Sequence, residues 1–275
     1  MCLIVFDWRP AAGHGPFFTL SANRDEYFRR TAEPLGWWAD APGLLAGRDL
    51  AGGGTWLGVS RDGRFAALTN YRAPHDMRPD APTRGTLVSA YLQGAPLAPL
   101  DYLHRIAETG AVYNGFNLLI GDFKRRELGW YCNRSSAAPI LLDAGAHAIS
   151  NAVLDTPWPK LVRKRDEMRQ LLEHDPAPPL AALIELMRDP RVARDDELPA
   201  TGLTLERERA LSAAFIETPD YGTRGTTALR VNALASGLQL EIAERSDDDG
   251  THRLMRPGNF ERSFSFDVER ASQPG

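Results

Sequence analysis

The 275-residue chain has only two cysteines, Cys2 and Cys132. That excludes a disulfide scaffold and makes a reducing, cytoplasmic setting the simplest reading. It has no run of 18 apolar residues, the length a membrane-spanning helix needs. The N-terminus shows neither the basic segment nor the long apolar stretch of a secretory signal. It has no basic excess: 32 Lys and Arg stand against 36 Asp and Glu, a formal net charge of −4. Nucleic acid is therefore not expected as a partner, because little charge is left over to neutralise phosphates. The six His are scattered, and no His-Glu-x-x-His or Cys-x-x-Cys pair exists, so no metal site is expected. Cys-x-x-Cys-His, the haem-attachment pattern, is also absent. No glycine-rich phosphate loop is present. Gly52-Gly53-Gly54-Thr55-Trp56 comes closest, but it precedes a strand-like run rather than a helix.

What is there reads as one globular domain over 1–275, with 43% hydrophobic and 25% charged residues. Leu3 to Trp8 and Phe17 to Ala22 read as strands joined by a hairpin connection over 11–16. Leu57 to Ser60 and Phe65 to Thr69 flank an Asp-Gly turn. Apolar spacing predicts helices over 84–93, 100–109, 159–173 and 180–187. Further strands are expected at 116–120, 128–132, 146–150, 213–217, 226–231, 238–244 and 262–268. Arg163-Lys164-Arg165, followed by Asp166 and Glu167, reads as a solvated helix face, and 189–210 as a polar surface excursion. Strand blocks alternating with helix blocks give an α+β chain with mainly antiparallel sheets.

The most informative feature is Met1-Cys2. Methionine aminopeptidases remove Met before a small residue, which would leave Cys2 with a thiol and a free α-amine in one residue. The amine's ordinary pKa is about 7.7–8.0 and the thiol's about 8.5, so the amine can take the thiol proton near neutral pH. That makes nucleophile and base together. The run Leu3-Ile4-Val5-Phe6 anchors the terminus as a buried strand. Asn23-Arg24-Asp25-Glu26 ends the second strand, and the hairpin brings it beside Cys2. Asp25 could orient the thiol or hold the ammonium, and Arg24 could depress the thiol pKa. Asn70 and Asn151 follow strand-like runs; each suits either an oxyanion donor or a turn cap. Arg224 lies between Gly222 and Gly225, where little bulk shields it. Trp37, Trp38 and Trp56 either line an apolar pocket or pack the core, and His75 either overhangs the pocket or is exposed.

Six blocks carry a resemblance: Met1-Cys2-Leu3-Ile4, Asn23-Arg24-Asp25-Glu26, Gly53-Gly54-Thr55-Trp56-Leu57-Gly58, Thr69-Asn70-Tyr71-Arg72, Ser150-Asn151 with Asp155-Thr156-Pro157-Trp158-Pro159-Lys160, and Tyr221-Gly222-Thr223-Arg224 with Thr226-Thr227. In order along nearly the whole chain, they resemble the NRDE family, that of the transport-and-Golgi-organisation protein number two. More remotely they are similar to N-terminal nucleophile hydrolases of the choloylglycine hydrolase and penicillin V acylase type. The resemblance implies a four-layer αββα sandwich, with Cys2, Asp25, Asn70, Asn151 and Arg224 as catalytic residues. Asn23, Arg24, Trp56, Tyr71 and Arg72 would meet the substrate. One departure is plain: the hydrolases have an Arg three residues before their Asp, whereas Ala22 stands there and Arg24 adjoins Asp25. Two functions follow as expectations. One is a cysteine amidohydrolase or thioesterase that needs no cofactor and acts on a small apolar acyl ligand. The other is a non-catalytic carrier of haem or an acyl-lipid, since the family is linked to haem trafficking and to lipid and acyl-coenzyme A metabolism. The substrate, the oligomeric state and the removal of Met1 are left open.

Overall fold

Alternation along the first strand, β1 (Cys2–Trp8), builds the layers. Ile4, Phe6 and Trp8 point into one apolar cluster, while Leu3 and Val5 point into another. A strand buried on both faces must be sandwiched, and it is. The computed structural model describes residues 2–268. Among these, β1 pairs antiparallel with β2 (Gly15–Tyr27), which pairs in turn with β11 (Tyr221–Leu234). β12 (Gly237–Ser246), β13 (Phe260–Asp267) and, on the other side of β1, β10 (Gly145–Ile149) complete a six-stranded sheet in the order β10-β1-β2-β11-β12-β13. A second sheet of seven runs in chain order through β3 (Ala32–Trp38), β4 (Ala41–Asp49), β5 (Leu57–Ser60), β6 (Arg64–Asn70), β7 (Phe116–Asp122), β8 (Glu127–Cys132) and β9 (Ile140–Leu141). All the pairings in both sheets are antiparallel.

The inner faces of the two sheets share one core. Phe6, Phe18 and Leu229 from the first sheet meet Phe65, Leu119 and Trp130 from the second. Phe18 lies 5.2 Å, ring centre to ring centre, from both Phe65 and Phe123. Each such side chain, fully buried, contributes about 1.5–3 kcal/mol. Helices α1 (Gly85–Gln93) and α2 (Pro99–Thr109) cover the outer face of the second sheet, where Leu87, Val88 and Leu103 meet Leu118 and Ile120. Helices α3 (Pro159–His174) and α4 (Leu180–Met187) cover the outer face of the first, where Leu161, Met168 and Leu183 meet Leu3 and Val5. The result is the expected α+β sandwich of four layers, αββα, with antiparallel sheets.

Several local readings need correction. β2 does not end at Ala22 but runs through Asn23-Arg24-Asp25-Glu26 to Tyr27, because β11 continues beside it. The stretch 32–49, where the sequence marks no individual strand bounds, forms β3 and β4, which tertiary pairing enforces against weak local propensity. Residues 213–217 form no strand beyond an isolated bridge at Glu217. Lys164 is not on a solvated face: it is 1% exposed, with Nζ 2.8 Å from Asp189 and 2.6 Å from Glu167. The polar segment 189–210 holds a further helix, α5 (Leu205–Leu211), whose Glu208 is buried against Arg72. Charge alone misread both segments, since ion pairs let charged groups go inside. Trp37 and Trp38 do not line the cleft described below. Trp37 packs on Phe264 and Phe266, and the Trp38 indole donates to the Ala46 carbonyl at 3.1 Å. Among the described residues no helix is long and apolar enough to cross a membrane.

Candidate active site

The register of the β1–β2 hairpin sets Cys2 directly opposite Arg24. Side-chain alternation then decides which neighbours share its face. Cys2 and Arg24 lie on the inner side, in step with Ile4 and Ala22, which join the inter-sheet core. Asn23 lies on the opposite side. Its amide donates to the carbonyls of Met187 (2.9 Å) and Ala214 (2.7 Å), and its oxygen accepts from Thr226. Asn23 thus ties the sheet to the outer helical layer and does not line the cleft.

Cys2 opens on a cleft of about 350 Å³ between the ends of the two sheets. The first sheet supplies Cys2, Arg24, Asp25 and Arg224; the second supplies Asn70, and the turn before β5 Trp56; the segment before α1 supplies Thr83 and Arg84. Of the ten residues singled out from the sequence, six therefore line one cavity: Cys2, Arg24, Asp25, Trp56, Asn70 and Arg224. Asn23, Tyr71, Arg72 and Asn151 stand behind it. His75 does not line it and instead lies against Gly202.

Asn151 acts one layer back. Its amide donates to the Asn70 backbone carbonyl at 2.8 Å. Next to it, Ser150 Oγ donates to the Cys2 carbonyl at 2.8 Å and lies 3.1 Å from Asn151 Oδ1. The Ser-Asn pair thus clamps β1 to β6 and fixes Cys2 relative to Asn70. Among the described residues, no hydrogen bond occupies the Asn70 side-chain amide. Arg224 sits at a bulge in β11, where the pairing to β2 skips a residue. Its guanidinium is held by both oxygens of Asp247 (2.9 and 3.2 Å) and by the Arg30 carbonyl. That bidentate, buried pair has no fork left for Asp25. Arg72 is likewise spent on Glu208 and stacks on Trp158.

Burial pushes the Cys2 thiol above its usual pKa; the Asp25 charge adds to that shift, while a hydrogen bond from the Asp25 backbone and the charge of Arg24 oppose it. The resting group is therefore the neutral thiol. Burial likewise raises the Asp25 carboxyl, against the positive charge of Lys160 and a 2.7 Å hydrogen bond from Thr223 Oγ1. The sequence reading passed over Lys160, though it ends one of the quoted blocks. It is 1% exposed, and Nζ donates to the Leu211 carbonyl at 2.9 Å. Burial lowers its pKa to about 8, while Asp25 works the other way. A lysine directly after Trp-Pro at a helix start was the only available signal, and it does not reveal burial.

The lowered pKa of Lys160 has a measurable sign. Below pH 8 the folded and unfolded chains both hold its proton, and the fold bears the cost of burying an ammonium. Between pH 8 and 10.5 only the unfolded chain holds it, so this group's contribution to stability rises with pH. Lys160→Met removes that dependence. Urea unfolding at pH 7 and pH 9.5 should show the variant's stability, relative to the parent, falling by roughly 2 kcal/mol at the higher pH. A relative stability equal at both pH values would show that Lys160 is not a buried ammonium. Among the described residues no cluster of His, Cys, Asp and Glu could hold a metal ion.

Comparison with known proteins agrees with the quoted blocks. Residues 1–248 match the Transport and Golgi organisation 2 family. A human Transport and Golgi organization protein 2 homolog is 34% identical over 277 residues, covering 94% of this chain and 99% of its own. A Bos taurus homolog is 35% identical over 248 residues, covering 85% and 89%. Among solved structures, a conjugated bile acid hydrolase from Clostridium perfringens superposes with a TM-score of 0.49 at 8% identity, over 100% of this chain and 99% of that one. A Caenorhabditis elegans ortholog of N-acylethanolamine-hydrolyzing acid amidase gives 0.44 at 8% identity, over 68% and 85%.

Proposed function

The chain belongs to the Transport and Golgi organisation 2 family, and we propose that it is a cysteine acyl hydrolase. In this reading Cys2 attacks the amide or thioester carbonyl of a small ligand. The observation that carries the reading is the placement of Cys2: its thiol lines a cleft, faces Arg24 and shares that cleft with Asn70. The mechanism requires excision of Met1, which frees the Cys2 amine. Because burial favours the neutral thiol, attack needs a base, and the amine of the same residue is the nearest one. The thiol proton passes to the amine as sulfur bonds to the carbonyl carbon. The Asn70 amide donates to the resulting oxyanion, a contact worth about 2.7–4 kcal/mol in comparable sites. The intermediate collapses with return of the proton to the leaving nitrogen or sulfur. Water then releases the acid and restores the thiol. Asp25 and Lys160 are both buried near Cys2, and the charge of each acts on the other.

The lining favours the hydrolase reading over haem carriage. Haem iron takes His, Met, Tyr or a Cys thiolate. Of these, among the described residues, the cleft lining offers only Cys2, whose burial disfavours the thiolate, and twelve of the lining residues are charged. A cytoplasmic location accompanies the hydrolase reading, since the chemistry needs a reduced thiol and both cysteines are unbridged.

Intact-mass analysis tests the proposal. The purified protein should lack the mass of Met1 and take up one equivalent of iodoacetamide at Cys2. Cys132 is 1% exposed and absent from the cleft, so it should be spared. Retained Met1, or alkylation at Cys132 in place of Cys2, would count against it.

A further inference from the structure

The cleft is full of charge, yet most of that charge is already paired. Arg30 holds Asp49 and approaches Glu26, Arg224 holds Asp247, and Arg48 is gripped by both oxygens of Asp40 at 2.8 Å. Burial favours the neutral forms of Asp25 and Glu244. Glu244 in addition accepts from the Leu35 N–H at 2.7 Å. Two cations remain. Arg24 has no ion pair and no side-chain hydrogen bond among the described residues; it acts on Glu244 only from a distance. Arg84 makes a single side-chain bond, to the Gly115 carbonyl at 2.7 Å. Both guanidiniums are half-buried cleft residues, and both exert their charge on Cys2. Neither arginine makes an ion pair among the described residues, although Glu26 acts on Arg84 from a distance, so two guanidinium forks beside one thiol are open to an anion.

We infer that the ligand carries a carboxylate or phosphate group close to its acyl bond, held by the Arg24 and Arg84 guanidiniums. This rests on the acyl-hydrolase reading only for the position of the reacting bond. A planar fork gives charge-assisted, directional bonds to either oxyanion. It would seat the reacting carbonyl at Cys2 by gripping its neighbour. Burial disfavours the charged form of Arg84, and Glu26 offsets that only in part and from beyond ion-pair distance; a ligand anion would complete the compensation.

The test reads binding, so it stands even if turnover fails. In a Cys2→Ala background, calorimetry compares three probes: N-octanoylglycine, the phosphate analogue N-octanoyl-O-phosphoethanolamine, and neutral N-octanoylglycinamide. One or both anionic probes should bind at least about tenfold more tightly than the neutral one, and the tighter of the two identifies the group. Arg24→Gln and Arg84→Gln should each remove most of that preference. Arg48→Gln should leave it intact, because Arg48 is satisfied by Asp40. If a Gln variant does not fold, the Lys variant replaces it and should keep a weaker preference. Equal affinity for neutral and anionic probes overturns the inference. So does a preference that survives both Arg24→Gln and Arg84→Gln, or no binding of any probe at millimolar concentration.

Discussion

Cys2→Ala is expected to cut hydrolysis of N-octanoylglycine and of its thioester counterpart, S-octanoylmercaptoacetate, by several orders of magnitude. Binding of both should stay within about threefold, since one sulfur among many contacts adds little to ground-state affinity. The split follows from what the thiol does. It touches the ligand, but its bond to the carbonyl carbon exists only along the reaction path. Cys2→Ser should retain a trace of activity at most. A hydroxyl has a far higher pKa than a thiol, and the terminal amine is poorly matched to remove its proton. Steady-state rates and calorimetry on the same preparations make the distinction. A carrier would behave differently: Cys2→Ala would leave no rate to lose, and any effect would appear in affinity. Turnover unchanged by either substitution would reduce Cys2 to a wall residue.

The parts of this site that follow from the residues are those fixed by strand periodicity. Leu3-Ile4-Val5-Phe6 had to be a strand, the connection over 11–16 had to turn back, and together they set Arg24 across from Cys2. What one sequence does not disclose is which face each polar group takes. Asn23 and Arg24 are neighbours in the same motif, yet alternation sends Asn23 to the Met187 and Ala214 carbonyls and Arg24 to the cleft. Without the exact register, both read as binding residues. Arg224 was legible as unusual, but its partner Asp247 lies 23 positions on, in what reads as a polar loop. Asn151 was legible as a rigid amide. The structure directs that amide to the Asn70 backbone, so in the proposed mechanism Asn151 positions Asn70 rather than touching the ligand itself. The first 70 residues read as strands, but the bounds of β3 and β4 were not legible, because pairing with each other and with β5 sets them rather than composition.

The account stands most directly on the claim that the reacting thiol and its base belong to one terminal residue. It is tested by hydrolysis of N-octanoylglycine by two preparations of the same chain. In one, mass analysis verifies that Met1 is gone. In the other, a short extension ahead of Cys2 is verified as intact. The extension leaves the thiol, the cleft and the arginines in place and converts only the amine into an amide, which cannot accept the proton. The account predicts turnover in the first preparation and loss of at least about a hundredfold in the second, the scale of a missing general base. It also predicts that proteolytic removal of the extension restores the rate. Equal rates in the two preparations would contradict it.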